Sequence, residues 1–175
     1  MSSRVQRALR FLPPGAVVAA LVATGVAQAH HSFASYDMNK TIVLTGVVTR
    51  VNPDANHLQI FFGRMTENRH TVEKDKNGKY IIWAVDMAGS AQSAQEGISV
   101  NAFPPGTVFS VALHPQRNGE PAGFRQGPLF KCPVNAKGKG IPPAPGKHCD
   151  SVAGNTRFGT GELPEPGIAK PEAGK

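Results

Sequence analysis

From Thr41 onward the apolar residues recur mainly with a period of two, and nowhere do they keep a helical period for more than about two turns. Such a chain builds a sheet, and a small sheet must curl or close to hide its edges. Residues 41–51 (TIVLTGVVTRV) are the first expected strand, rich in β-branched side chains, with Gly46 where a barrel strand bends or admits a close neighbour. Residues 57–62 are the second. From 63 to 79 the chain is polar and charged, and Asn77-Gly78 suits a type I′ turn into a third strand, 80–87, which carries Trp83, the one tryptophan. Residues 91–96 have room for a short helix, with Ser90 as N-cap and Gly97 as the stop. A Pro104-Pro105-Gly106 turn leads to a fourth strand, 107–114, and a weakly patterned fifth covers 124–131.

Five strands with a short helix before the fourth resemble the oligonucleotide/oligosaccharide-binding (OB) barrel. The expectation is a mainly β protein, with a small five-stranded barrel of the OB kind over 30–132, one short helix and a disordered tail, 133–175. The tail has 7 Pro and 8 Gly in 43 residues, which is the composition of unpacked chain. Its first part is expected to be held by a Cys132–Cys149 disulfide, and the part beyond Thr156 to be disordered.

Residues 1–29 read as a signal peptide. Arg4, Arg7 and Arg10 precede an apolar run, and Ala27-Gln28-Ala29 fits the small-x-small cleavage pattern, so the mature chain is expected to open at His30. The run is too short for a membrane span, and no lipid-accepting cysteine stands near the cut, so the expectation is a periplasmic or secreted protein without an anchor. Three of the 19 Lys and Arg lie in the leader and all 12 Asp and Glu follow it, leaving 16 minus 12, or +4. That mild charge, with Lys74, Lys76 and Lys79 interrupted by Asp75 and Asn77, argues against a nucleic-acid partner. Neither standard glycine-rich phosphate loop is present.

The mature start His30-His31-Ser32-Phe33, then Tyr36-Asp37 and Leu44-Thr45-Gly46-Val47-Val48, resembles a family of small exported bacterial proteins known as domain of unknown function 6152. The resemblance extends to His57, at the family's Asn-Pro-His spacing, to Gly89-Ser90, at its Gly-Ser-Pro-Asn, and to His114-Pro115 with Arg117 and Gly119. The chain departs from that pattern at Asn56, which replaces the proline before the histidine, at Ala91-Gln92, and in a longer charged excursion over 63–79. The resemblance covers about 30–131 and implies class and location, not chemistry.

Chemistry therefore rests on the histidines. A freed His30 offers its amino nitrogen and imidazole to one metal, and a further imidazole completes the planar nitrogen set that copper(II) favours. His31, in second position, chelates through the terminal amine and the intervening amide. Strand alternation turns His57 and His114 away from the core, so His30, His31, His57 and His114 are the candidate metal ligands and copper the candidate cofactor. Each also has an ordinary reading, as disordered terminus or turn residue, and His70 and His148 are expected to be solvent-exposed. No catalytic set is legible: Asp37, Asp86 and Glu96 form no recognisable pair, and Ser32 and Ser90 lack a nucleophile elbow. A copper oxidase also begins with a histidine, but only one Trp and two Tyr are available for the flat aromatic face of such enzymes. The metal-free alternative is a barrel module that takes a protein, peptide or glycan on outward-facing Phe61 and Tyr80.

Overall fold

The computed structural model describes residues 31–168, in two units, 31–34 and 35–168. The first holds one turn of helix, α1 (His31–Ala34). The second contains β1 (Lys40–Pro53), β2 (Leu58–Arg64), β3 (Ile82–Asp86), helix α2 (Ser90–Gln95), β4 (Val108–Pro115) and β5 (Ala122–Lys131). A 3-10 turn (Cys149–Ser151) and two short strands follow, β6 (Thr156–Phe158) and β7 (Gly167–Ile168).

Strand pairing runs β1-β2-β3-β5-β4 and back to β1. All of these pairs are antiparallel except β3 with β5. Five strands thus close a barrel, with α2 between the third and fourth, which is the expected OB-like order. Closure depends on β1, the longest strand. Its first half pairs with β4 and its second half with β2, and Gly46 stands opposite both Phe109 and Arg64. A Cβ at Gly46 would lie 2.3 Å from Phe62 Cδ2 and 2.8 Å from the Gly63 carbonyl oxygen, so a side chain there would force its neighbours to shift.

Alternation on the five strands sends Leu44, Val48, Ile60, Phe62, Val85, Phe109, Val111, Leu113 and Leu129 inward, all buried. Ile98 and Phe103, from the chain after α2, join them. Phe109 meets Phe62 edge-on at 5.1 Å between ring centroids and Phe103 at 5.8 Å. The barrel is filled with side chains, so its polar chemistry lies on the outer wall and at the ends.

Three local expectations are corrected. Gly89, not Ser90, is the N-cap of α2, because the Ser90 hydroxyl donates to the Asp54 carbonyl instead. The helix does stop at Gly97, whose φ of 80° allows the Gly97 and Ile98 N–H groups to bond back to Ala94 and Ser93. The Asn77-Gly78 turn is not type I′, since Gly78 has positive φ and Asn77 does not. Asp75 Oδ1 accepts the N–H groups of Asn77 and Lys79 and holds a type I turn, and regular pairing starts only at Ile82.

The tail is the third correction. Through Ile168 it is laid on the barrel rather than disordered. The Cys132–Cys149 disulfide forms as expected and anchors the 3-10 turn. Beyond Thr156, β6 pairs with β5, Phe158 packs on Phe103 at 4.8 Å, and β7 pairs with the start of β1. Cys149, Val152, Phe158 and Leu163 of the tail pack against the apolar clusters of the barrel, which overrides its Pro/Gly composition, while Val134 and Ile141 stay exposed. Residues 169–175 lie outside the described residues.

Gly46→Ala is expected to lower the unfolding free energy by about 1–3 kcal/mol through overpacking against Phe62. Urea denaturation followed by Trp83 fluorescence checks this, and a neutral result would mean that Phe62 gives way to a Cβ at Gly46 without cost.

Candidate functional site

The turn before β2 is an Asx turn: Asp54 Oδ1 accepts the N–H groups of Asn56 at 2.8 Å and His57 at 3.3 Å. Those bonds hold the Asp54 carboxyl below its usual range and set the position of His57. Gly89 lies against this turn, where a Cβ would stand 2.0 Å from the Ala55 carbonyl oxygen. Ser90 donates to the Asp54 carbonyl through its hydroxyl (2.6 Å) and its N–H (3.2 Å). The Gly89-Ser90 pair is thus the seat of the His57 turn, not a nucleophile.

Opposite lies Asp86, the last residue of β3. Tyr36 donates its hydroxyl to Asp86 Oδ2 at 2.9 Å, and burial together with the Asp86 charge pushes the phenol up to about 12, so it keeps its proton and continues to donate. The other carboxylate oxygen, Oδ1, faces His57 Nδ1 at 3.8 Å. That is too long for a hydrogen bond. Both atoms are buried and neither has a hydrogen-bond partner, although the His57 side chain as a whole is 44% exposed.

Strand register extends the site sideways. Asp86 is level with Phe124 on β5, and Phe124 with His114 on β4. The Tyr36 ring packs on Phe124 at 5.8 Å between centroids. His114 leaves the core side as expected, yet it is buried, with Nδ1 2.9 Å from the Lys40 carbonyl oxygen. A carbonyl only accepts, so Nδ1 is the donor here, which leaves Nε2 as the lone-pair nitrogen of the neutral ring.

The chain leading into β1 is clamped over this wall. Tyr36 bridges Gln116, the Asp37 N–H donates to the Pro115 carbonyl, and the Arg117 N–H donates to that of Ser35. Arg117 also stands 3.9 Å from the Asp37 carboxylate. Asp37, Lys40, Arg117 and Glu120 rim a cleft of about 340 Å³ with Ile42 and Trp83 among its walls.

The remaining expected residues are dispersed. His30 lies outside the described residues, as do the signal segment and the side chain of His31. Among the described residues, no three His, Cys, Asp or Glu stand close enough to hold a metal ion, so His57 and His114 do not form such a set there. Glu96 pairs with Arg125, and Asp37 with Arg117, so the three carboxylates form no acid/base pair. His70 is exposed as expected, and Phe61 faces outward beneath the Arg50 guanidinium, 3.5 Å from its ring centroid. His148 is a correction: it is half-buried, with Nδ1 2.8 Å from Thr45 Oγ1, because the disulfide beside it presses the chain onto the barrel. What spacing did not reveal is the Tyr36–Asp86–His57 grouping, for these residues are brought together only by the β2–β3–β5 register and by the clamp of the Tyr36 segment on the end of β4.

The model of the Family of unknown function (DUF6152) matches residues 17–125, more than half of the chain. The protein belongs to that family. Neither a curated protein nor a solved structure matches it. Within this DUF6152 member, the matched span holds every residue of the clamp and of the His57 turn, whereas Cys132, Cys149 and the segment they pin fall beyond it. The motifs that mark the resemblance are therefore neighbours in space: Tyr36-Asp37 lies on His114-Pro115 and Arg117, and the His57 turn on Gly89-Ser90.

Tyr36→Phe removes the donor to a carboxylate that is only 14% exposed and is expected to cost about 1–3 kcal/mol. Chemical denaturation measures it, with Phe61→Leu as a control predicted to change stability less.

Proposed function

We propose that the protein is an exported, non-catalytic binding protein for a transition-metal ion, with copper as the metal that suits its nitrogen donors. Two donor groups support the reading. One is the amino nitrogen and imidazole of a His30 freed by signal cleavage, with His31 beside it. The other is His57 with Asp86 on the barrel wall, and the observation that carries the proposal is that His57 Nδ1 and Asp86 Oδ1 are buried, lack a hydrogen-bond partner and face each other at ion-pair distance, 3.8 Å. An ion about 2.0–2.2 Å from each atom would span that gap at an open angle. Tyr36 acts on the far oxygen of Asp86 and orients the carboxylate, as outer partners of metal ligands do. His114 has the tautomer of a ligating imidazole, its Nδ1 proton given to a backbone carbonyl. Two protein donors make a modest site, completed by water.

A second reading has one observation behind it. Tyr80 is 56% exposed, beside Lys74 at 4.8 Å from its ring centroid, and Phe61 carries Arg50. Such pairs of an aromatic ring with a cation suit a glycan or an acidic peptide.

Calorimetric titration of copper(II) into protein beginning at His30 tests the first reading. One extra amino-terminal residue is expected to weaken the tighter event by at least about tenfold, and Asp86→Asn to abolish the weaker one. Affinity should also fall as pH drops through about 6.5, where imidazole gains its proton. Absence of binding, or identical isotherms for all three proteins, would overturn the metal reading and leave the second one.

A further inference from the structure

The segment 147–151 crosses the outer wall of β1 and β4 as a strap. Its attachment is a buried relay: the Cys149 N–H donates to Ser110 Oγ (2.8 Å), Ser110 Oγ lies 2.7 Å from Thr45 Oγ1, and Thr45 Oγ1 lies 2.8 Å from His148 Nδ1. Thr45, Ser110 and Cys149 are wholly buried. With His148 neutral and Nδ1 bare, every group is satisfied: Ser110 donates to Thr45 and Thr45 donates to the imidazole. An imidazolium carries a proton on Nδ1 and can only donate. The relay must then reverse, which leaves the Ser110 hydroxyl proton without an acceptor among the bonds of the described residues, in a site closed to water.

The surroundings act in the same direction. Arg69, from the connection between β2 and β3, is buried with φ of 60° and donates from Nε to the Lys147 carbonyl and from Nη1 to that of Thr66. Its positive charge faces His148 across a cleft of about 300 Å³ that Arg64, Glu67 and Glu73 also line. On the strap itself Asp150 opposes it. Burial and then Arg69 hold the imidazole below its ordinary range against that pull.

We propose that this strap is a pH-operated latch: protonation of His148 detaches it from Thr45 and Ser110, while the Cys132–Cys149 disulfide keeps it tethered and able to return. Opening uncovers Ser110 and the second apolar cluster, in which Cys149 packs with Met65, Val108 and Phe130. Linkage gives the sign. A histidine whose folded pKa is depressed contributes its full stability above about 6.5, and that contribution is lost as pH falls from there toward the folded value.

The test is amide hydrogen exchange at Cys149 in the full, disulfide-intact chain, expressed as protection against the unstructured rate from pH 8 to 4.5, alongside an NMR titration of His148. The expected result is protection that falls by up to about tenfold per pH unit once the solution is below the ordinary histidine range, because one proton is linked to opening. His148→Asn, whose side-chain carbonyl can accept from Thr45 but does not titrate, should give a flat profile. Protection that stays flat through the His148 titration in the unaltered protein would overturn the latch, with no reliance on the variant folding. Equal pH dependence in His148→Asn would also overturn it.

Discussion

One strand serves two neighbours, and the rest of the molecule is arranged around that constraint. β1 must pair with β4 and with β2, and the two ladders overlap at Gly46 and Val47, where the Phe62 ring and the Gly63 carbonyl occupy the place of a side chain at Gly46 and the β2 register slips just beyond, between Val48 and Arg50. So paired, β1 brings the chain before it to the far end of β4, where Pro115 and Gln116 receive Asp37 and Tyr36. The same closure sets β3 beside β5 in parallel register and thereby places Asp86 level with Phe124. The polar grouping on the outer wall is a by-product of how the sheet closes.

That grouping gives the family motifs a physical role. Gly89 is small because the Ala55 carbonyl abuts it, and Ser90 ties down the turn that aims His57. Arg117 holds Asp37, which leaves the neighbouring Tyr36 over Asp86. Scaffold residues thus account for most of the motif, and the two atoms of His57 and Asp86 that lack a hydrogen bond are what remains once scaffolding is subtracted. Among the described residues, these are the buried side-chain polar atoms left without a hydrogen bond.

The sequence was most legible where one periodicity ruled. All five barrel strands lie within a few residues of where alternation puts them, α2 stops at Gly97, and the cysteines join. Legibility failed where a distant partner decided the outcome. Ser90 looks like an N-cap until the Asp54 carbonyl takes its hydroxyl, and His148 looks exposed until the disulfide presses it onto Thr45. Asp86 shows no local companion, because Tyr36 lies 50 positions away and meets it only after the barrel closes. Composition misled in the tail for a related reason: a Pro- and Gly-rich chain lacks a core of its own, but Phe158 and Cys149 borrow one.

The single indole of this protein has an unusual address. Trp83 shares its cleft with Asp37, Lys40, Pro115 and Arg117, the residues that fasten the incoming chain to the barrel. Its emission colour follows the hydration and charge of that crevice, so the molecule contains an optical gauge of whether its leading segment is docked or lifted, with no dye or label to be attached.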